Sequence, residues 1–261
     1  FKRAFFSELA KDDAAALRHW GLCYAQLREL VHAAASTRAA GAASGSPTIA
    51  ESTVAPPPLR EVCAVPLHEL KRVACFVNRK VCRASLALPG RLAETIEAFR
   101  HHVLLFRLRV LPAGASGSAT EEAAAAHLHA GWLCKQYRLF ATMLEESKVQ
   151  APGGSVLATN AEPGYYYQAA ANLALERRAC AERLSAGGSV AAAAVRVEGR
   201  PAAELAKALG VPDFVSAELD SRAVIELLTR AYERFKRSRS SRMIYFLAAQ
   251  MADEYLHTHN F

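Results

Sequence analysis

Aromatic residues make up only 8% of this sequence, and glycine and proline number 14 and 11 in 261 residues. Runs of β-branched residues, which pack well on pleated surfaces, are scarce. A sandwich or barrel is therefore excluded. No run approaches the ~20 uninterrupted apolar residues needed to span a bilayer; Val190 to Val195 and the charge-broken Val103 to Leu111 come nearest. The chain reads as soluble. Its six cysteines, Cys23, Cys63, Cys75, Cys82, Cys134 and Cys180, form no C-x-x-C pair and mostly sit inside apolar helical patterns, where thiols behave as small hydrophobes. No asparagine begins an N-x-Ser/Thr acceptor, so the expected compartment is reducing. Residue 1 is phenylalanine, and the expectation is a piece of a longer chain.

Catalytic signatures are missing as well. There is no G-x-G-x-x-G after a strand and no glycine directly followed by lysine, so phosphate-cradling loops are absent. The nearest approach to a nucleophile elbow, Gly114-Ala115-Ser116-Gly117-Ser118, has the wrong last residue and lies in a low-complexity stretch. His127 and His129, two apart on a helix, point to nearly opposite sides. His257 and His259 close a helix and read as an exposed turn. Cys75 and Cys82 stack about two turns apart, too far to bridge directly. No carboxylate pair sits in an apolar setting that would mark an acid/base couple. The expectation is a non-enzyme with no catalytic residue, no bound metal and no cofactor.

What is present is alanine: 54 residues. Alanine is the strongest helix former, and the chain alternates stripes of period 3.6 with loops of Ala, Gly, Ser and Pro. Helices are expected at Lys2–Ala10, Asp12–Ala34, Leu67–Leu86, Leu92–Leu111, Glu121–Glu146, Gly164–Leu184, Arg222–Arg237 and Arg242–His257, with a short one near Ala202–Leu209. Disordered loops are expected at 38–58, 113–119, 150–162 and 186–219. Long connections of this kind are tolerated at the edge of a solenoid. The fold class is thus all-α: one α-solenoid of antiparallel, tetratricopeptide-like hairpins over residues 1–261. Val224, Ile225, Leu228, Ala231, Tyr232 and Phe235 should pack on the next helix through Ile244, Leu247, Ala248, Met251 and Tyr255. Ala248 and Ala252 look like the small residues of a tetratricopeptide first helix.

Two local features stand out. Arg230, Arg234, Lys236, Arg237, Arg239 and Arg242 set six cations against Glu233 alone, giving +5 of the chain's +7. They read either as a patch for an acidic partner, anionic headgroups or RNA backbone, or as a solvated turn complementing a helix carboxyl end. The second feature is Glu162-Pro163-Gly164-Tyr165-Tyr166-Tyr167-Gln168-Ala169-Ala170. Three successive rings at a helix start fan over most of its circumference, so they either fill seams on both sides or leave one ring as a partner anchor.

The run Pro163 to Ala170, continuing to Glu176-Arg177-Arg178, resembles the signature of the foie gras domain found in the eleventh subunit of the TRAPP vesicle-tethering complexes. Three further stretches agree in order: Phe5-Phe6-Ser7-Glu8-Leu9 with Asp12-Asp13, Glu69-Leu70-Lys71 to Lys80-Val81-Cys82-Arg83, and Ile225-Glu226-Leu227-Leu228 through Phe235-Lys236 to Arg242-Met243. The resemblance implies a non-catalytic scaffold. Its partners would be other TRAPP subunits and, indirectly, a Rab GTPase and transport-vesicle or Golgi membranes. Its setting would be cytoplasmic, at Golgi and ER-Golgi intermediate membranes, in endoplasmic reticulum-to-Golgi transport and autophagy. Tyr165, Tyr166, Tyr167, Gln168, Arg177 and Arg178 are the family-motif candidates. The alternative is a helical-repeat module that binds RNA or anionic phospholipid through the Arg230–Arg242 patch; nucleic acid is the less favoured partner.

Overall fold

The computed structural model describes residues 1–43, 67–110, 119–149, 155–185 and 221–259. Among these residues the elements are α1 (Lys2–Leu9), α2 (Asp13–Ala43), α3 (Leu67–Leu86), α4 (Leu92–Val110), α5 (Ala119–Ser147), α6 (Val156–Asn160), α7 (Pro163–Ser185), α8 (Ser221–Arg237) and α9 (Ser241–His259). No strand is present among them. Most helix ends fall within two residues of expectation, Ala119 of the expected 113–119 loop joining α5, and two stretches differ by more. α2 continues to Ala43, because the Ala-rich stretch after Arg38 keeps helical propensity where a loop was expected. The expected 150–162 loop contains α6, capped by Ser155, whose hydroxyl accepts from the Ala158 amide at 3.1 Å. The expected loops at 44–58, 113–118, 150–154 and 186–219, and the short helix at 202–209, lie outside the described residues.

The helices run up and down in sequence. Trp20 of α2 meets Phe76 of α3, whereas Val31 joins Leu70 and Ala74, so α3 runs opposite to α2. Phe99 stacks on Phe140 and Phe106 lies on Trp132, which makes α5 antiparallel to α4. Tyr167 with Glu145 and Arg177 with His127 reverse the direction again at α7. Gly164 against Phe235, with Arg178 against Ser221, reverses it at α8. α9 folds back along α8 through the 238–240 turn. The largest core is continuous from Cys82 and Leu86 through Phe99, Phe140, Tyr166 and Tyr167 to Leu228, Phe235 and Leu247. Two smaller clusters tie α1, α2 and α3 together and join α2 to α4.

This alternation separates the connections. The short turns after α1, α3 and α8, and the α5–α6–α7 region, gather at one end of the array. The helix ends at Ala43, Leu67, Val110, Ala119, Ser185 and Ser221, which border the long Ala/Gly/Ser/Pro-rich segments, lie at the other. At the short-turn end, left-handed backbone occurs at Lys11 (φ 56°), Lys148 (φ 51°), Arg239 (φ 55°) and Gly90 (φ 78°). Lys11 and Arg239 follow helix carboxyl ends closed by Asp12 N to Ser7 O and Ser240 N to Phe235 O, both 3.0 Å. Glycine is usual at such positions, and a side chain there costs about 1–2 kcal/mol.

α9 departs from its expected face. Leu247 is fully buried, and Met243, Ile244 and Met251 pack beside it, but Ala248 and Ala252 are exposed and Tyr255 is half exposed. The helix is rotated to bring Glu254 inward, where Arg178 receives it.

Candidate functional site

α7 is the element on which the motif residues converge, lying between α5 and α8. Its entry is set by Pro163, whose fixed φ suits the first helical turn, and by Gly164. A Cβ at Gly164 would lie 2.8 Å from the Phe235 ring, so a larger residue would push α8 away. The three tyrosines that follow take three different neighbours. Tyr165, 38% exposed, meets Phe235 edge-on at 4.8 Å. Tyr166 is buried among Phe99, Tyr137 and Phe140, its hydroxyl donating to the Asn160 carbonyl at 2.7 Å. Tyr167 is fully buried, donates to Glu145 at 2.7 Å, and carries the Arg230 guanidinium over its ring at 5.8 Å. Aromatic pairs of this geometry add about 0.5–1.5 kcal/mol each beyond area burial. Burial pushes the Tyr166 hydroxyl up to about 12 and raises Tyr167 as well, so both remain protonated donors. Gln168 is half-buried on the same turn.

About two turns from the carboxyl end of α7, Arg177 and Arg178 face different partners. Arg177 lies against Gly131, where an added Cβ would come within 2.7 Å of its Nε, and donates to His127 Nε2 at 3.2 Å. The other ring nitrogen, Nδ1, is 3.1 Å from the Arg177 carbonyl. That pairing fits one neutral tautomer: Nδ1 donates and Nε2 accepts. Burial and then the Arg177 charge hold His127 down at about 4. Arg178 forms a two-pronged ion pair with Glu254, at 2.7 and 2.9 Å, and donates to Ser221 at 3.1 Å. It thereby joins α7, α8 and α9 at one point. Burial alone would raise Glu254, but the Arg178 and Ser221 hydrogen bonds and nearby cations outweigh it and hold the carboxyl below its ordinary value. The pairings with Ser221, Glu254 and His127 carried no sequence signal, lying 43, 76 and 50 residues apart in the chain.

The basic window divides into two sets. Arg230 pairs with Glu226 at 3.1 Å, and Arg234 lies between Glu162 at 3.4 Å and Glu145 at 3.7 Å. Both belong to the tyrosine seam. Lys236, Arg237, Arg239 and Arg242 are exposed around the α8–α9 turn.

No catalytic arrangement accompanies these contacts among the described residues. No group of three or more His, Cys, Asp or Glu there could hold a metal ion, and burial pushes Cys82 up to about 12, which keeps it a thiol. An open cavity of about 480 Å³ lies between the α3–α4 turn and the end of α5, lined mainly by Leu86, Leu88, Pro89, Met143 and Val149 with Arg83 and Glu146 at its edge. No described helix is long and apolar enough to cross a membrane.

Residues 67–261, beginning at the first residue of α3, match the family described as Foie gras liver health family 1. The chain belongs to that family. The family match contains the whole of the tyrosine seam, the Arg178–Glu254 pair and the basic turn. Trafficking protein particle complex subunit 11 of Bos taurus is 26% identical over 286 residues, covering 100% of this chain and 21% of that protein. The Gallus gallus protein of the same name is 26% identical, over 98% of this chain and 21% of its own length. The Homo sapiens one is 27% identical over 184 residues, 70% of this chain and 12% of its own. The foie gras chain described here thus spans about a fifth of the length of the bovine and chicken relatives.

Proposed function

We propose that this foie gras chain is a non-catalytic scaffold segment of a TRAPP-type complex, an α-solenoid that helps hold other TRAPP subunits in membrane tethering and Rab nucleotide exchange. Residues 1–261 act as one solenoid within a longer subunit, working at the cytoplasmic side of ER-Golgi and Golgi membranes in vesicle transport, with autophagy as a second setting. The observation that carries this reading is the consumption of the motif residues in helix packing. Tyr165 to Tyr167, Arg177 and Arg178 join α5, α7, α8 and α9, and a rigid array with well-separated faces is what a scaffold requires. Similarity to subunit 11 relatives along the whole of this chain, about a fifth of their length, supports the choice of complex.

The test is affinity capture with the tagged 261-residue chain expressed in cells, followed by identification of what comes down. Recovery of TRAPP subunits in stoichiometric amounts is expected. A well-folded chain that recovers none of them would overturn the reading.

A further inference from the structure

We propose that the short-turn end of the array is a contact surface for an anionic lipid bilayer, with Lys11, Lys148, Lys236, Arg237, Arg239 and Arg242 meeting the headgroups. The first observation is backbone strain. Each of the three left-handed, non-glycine positions among the described residues is a lysine or an arginine, and all three lie at this end. Helix carboxyl ends favour a nearby cation, but that attraction does not require the cation at the one position where glycine fits the backbone better. A surface that uses the charge does.

The second observation is pairing. All six side chains are exposed, and none makes an ion pair with a described residue, whereas Arg230 and Arg234 in the same window are held by Glu226, Glu162 and Glu145. Asp12, beside Lys11, is engaged in capping the Ala15 amide at 2.9 Å; Glu146 and Glu233, two and three residues before Lys148 and Lys236, are exposed carboxylates. The third is shape. The open cavity at this end is lined mainly by apolar residues and adjoins Lys148 alone of the six; the cations sit after α1, after α5 and around the α8–α9 turn, at the tips of separate hairpins. With neighbouring helix axes roughly 8–10 Å apart, they are spread over a width on the order of 40–50 Å. A bilayer meets separate tips at once; a peptide ligand needs a groove. Beyond the last basic turn, Tyr245 and Phe246 are 76% and 48% exposed, amphipathic and apolar rings suited to the headgroup boundary.

This inference does not depend on which complex holds the chain, and its test needs no partner subunit. The 261-residue chain is sedimented with phosphatidylcholine vesicles prepared with and without phosphatidylserine. Binding is expected only where phosphatidylserine is present, and it should weaken as salt rises. Each headgroup contact contributes roughly fivefold, so Lys11→Gly with Lys148→Gly and Arg239→Gly should lower affinity about a hundredfold while leaving the thermal midpoint no lower. Arg237→Gln with Arg239→Gln keeps side chains at both positions and should lose about twentyfold by the same increment, which preserves the test should the glycine variant misfold. Arg28→Gln with Arg72→Gln removes two exposed cations away from this end and should bind like the unsubstituted chain. Equal sedimentation with both vesicle types, sedimentation with neither, or an equal loss from the Arg28/Arg72 control would overturn the proposal. So would tight capture of poly-glutamate by a chain that ignores vesicles, which would assign the end to an acidic protein.

Discussion

The two sides of α5 treat buried polar groups in opposite ways. Toward α7, the two buried motif hydroxyls and both motif guanidinium groups meet defined partners: Tyr166 with the Asn160 carbonyl, Tyr167 with Glu145, Arg177 with His127, and beyond them Arg178 with Glu254. Toward α3 and α4, His102 Nε2 and both ring nitrogens of His129 are buried with no hydrogen-bond partner among the described residues. His102 Nδ1 meets the Tyr24 hydroxyl at 2.8 Å and Trp132 Nε1 donates to Cys75 Sγ at 3.1 Å, but rings cover the remaining nitrogens. His129 stacks on Trp132 at 5.6 Å, His102 lies beside Phe106 and Trp132, and the buried Lys71 ammonium sits 4.5 Å over the Trp132 ring. The motif side is fixed by matched pairs, which specify one arrangement because any slip strands a polar group. The other side is held by shape and by keeping its imidazoles neutral.

Acid is the largest lever on that difference. Burial, with a contribution from Lys71, holds His102 at about 3 and His129 at about 4, against an ordinary value of 6.5, and His127 is likewise held at about 4. A depressed histidine binds its proton more weakly folded than unfolded. Its neutral form is therefore accommodated without cost above about pH 6.5, and stability falls as pH drops from there toward the folded values. At pH 5 the loss is roughly 2 kcal/mol per histidine. Thermal melts at pH 7 and pH 5 should show it, and His102→Phe with His129→Phe should remove most of the fall. An unchanged pH dependence in that double variant would break the comparison.

Next in size is the α7–α8–α9 joint. Arg178→Ala leaves Glu254 buried without its partner and should cost about 3–5 kcal/mol, whereas Arg178→Met with Glu254→Met removes both charges and should recover most of that in a denaturant titration. Smaller again is Gly164→Ala, which drives a methyl into the Phe235 ring and should cost about 1–3 kcal/mol. Smallest is His129→Phe at neutral pH. It replaces a ring whose nitrogens go unused with an apolar one, and the change in stability should lie within about 1 kcal/mol of zero.

How much of this was legible in the sequence follows the same division. The stripe from Val224 to Phe235 and the limits of α3 could be read because local periodicity determines them, and three consecutive tyrosines already required more than one packed face. Pairings across the array could not be read: nothing near Arg178 points to a glutamate 76 residues away. That same pairing turned α9, so Ala248 and Ala252, small residues in the right rhythm, faced outward. α6 was hidden for another reason. Five helical residues are too few to show a stripe, and its Ser155 cap looks like any loop serine. The basic window read as one patch until Glu145 and Glu162 claimed Arg234 and Glu226 claimed Arg230.

The central claim is that the foie gras motif of this chain is a structural joint and that partners are held elsewhere on the array. Affinity capture of TRAPP subunits by the Arg178→Met, Glu254→Met chain tests it most directly, with the thermal midpoint measured on the same protein. The account predicts a folded chain that recovers the same subunits in the same amounts as the unsubstituted one. A chain with an unchanged midpoint that no longer recovers them would place the motif at a partner interface and contradict it.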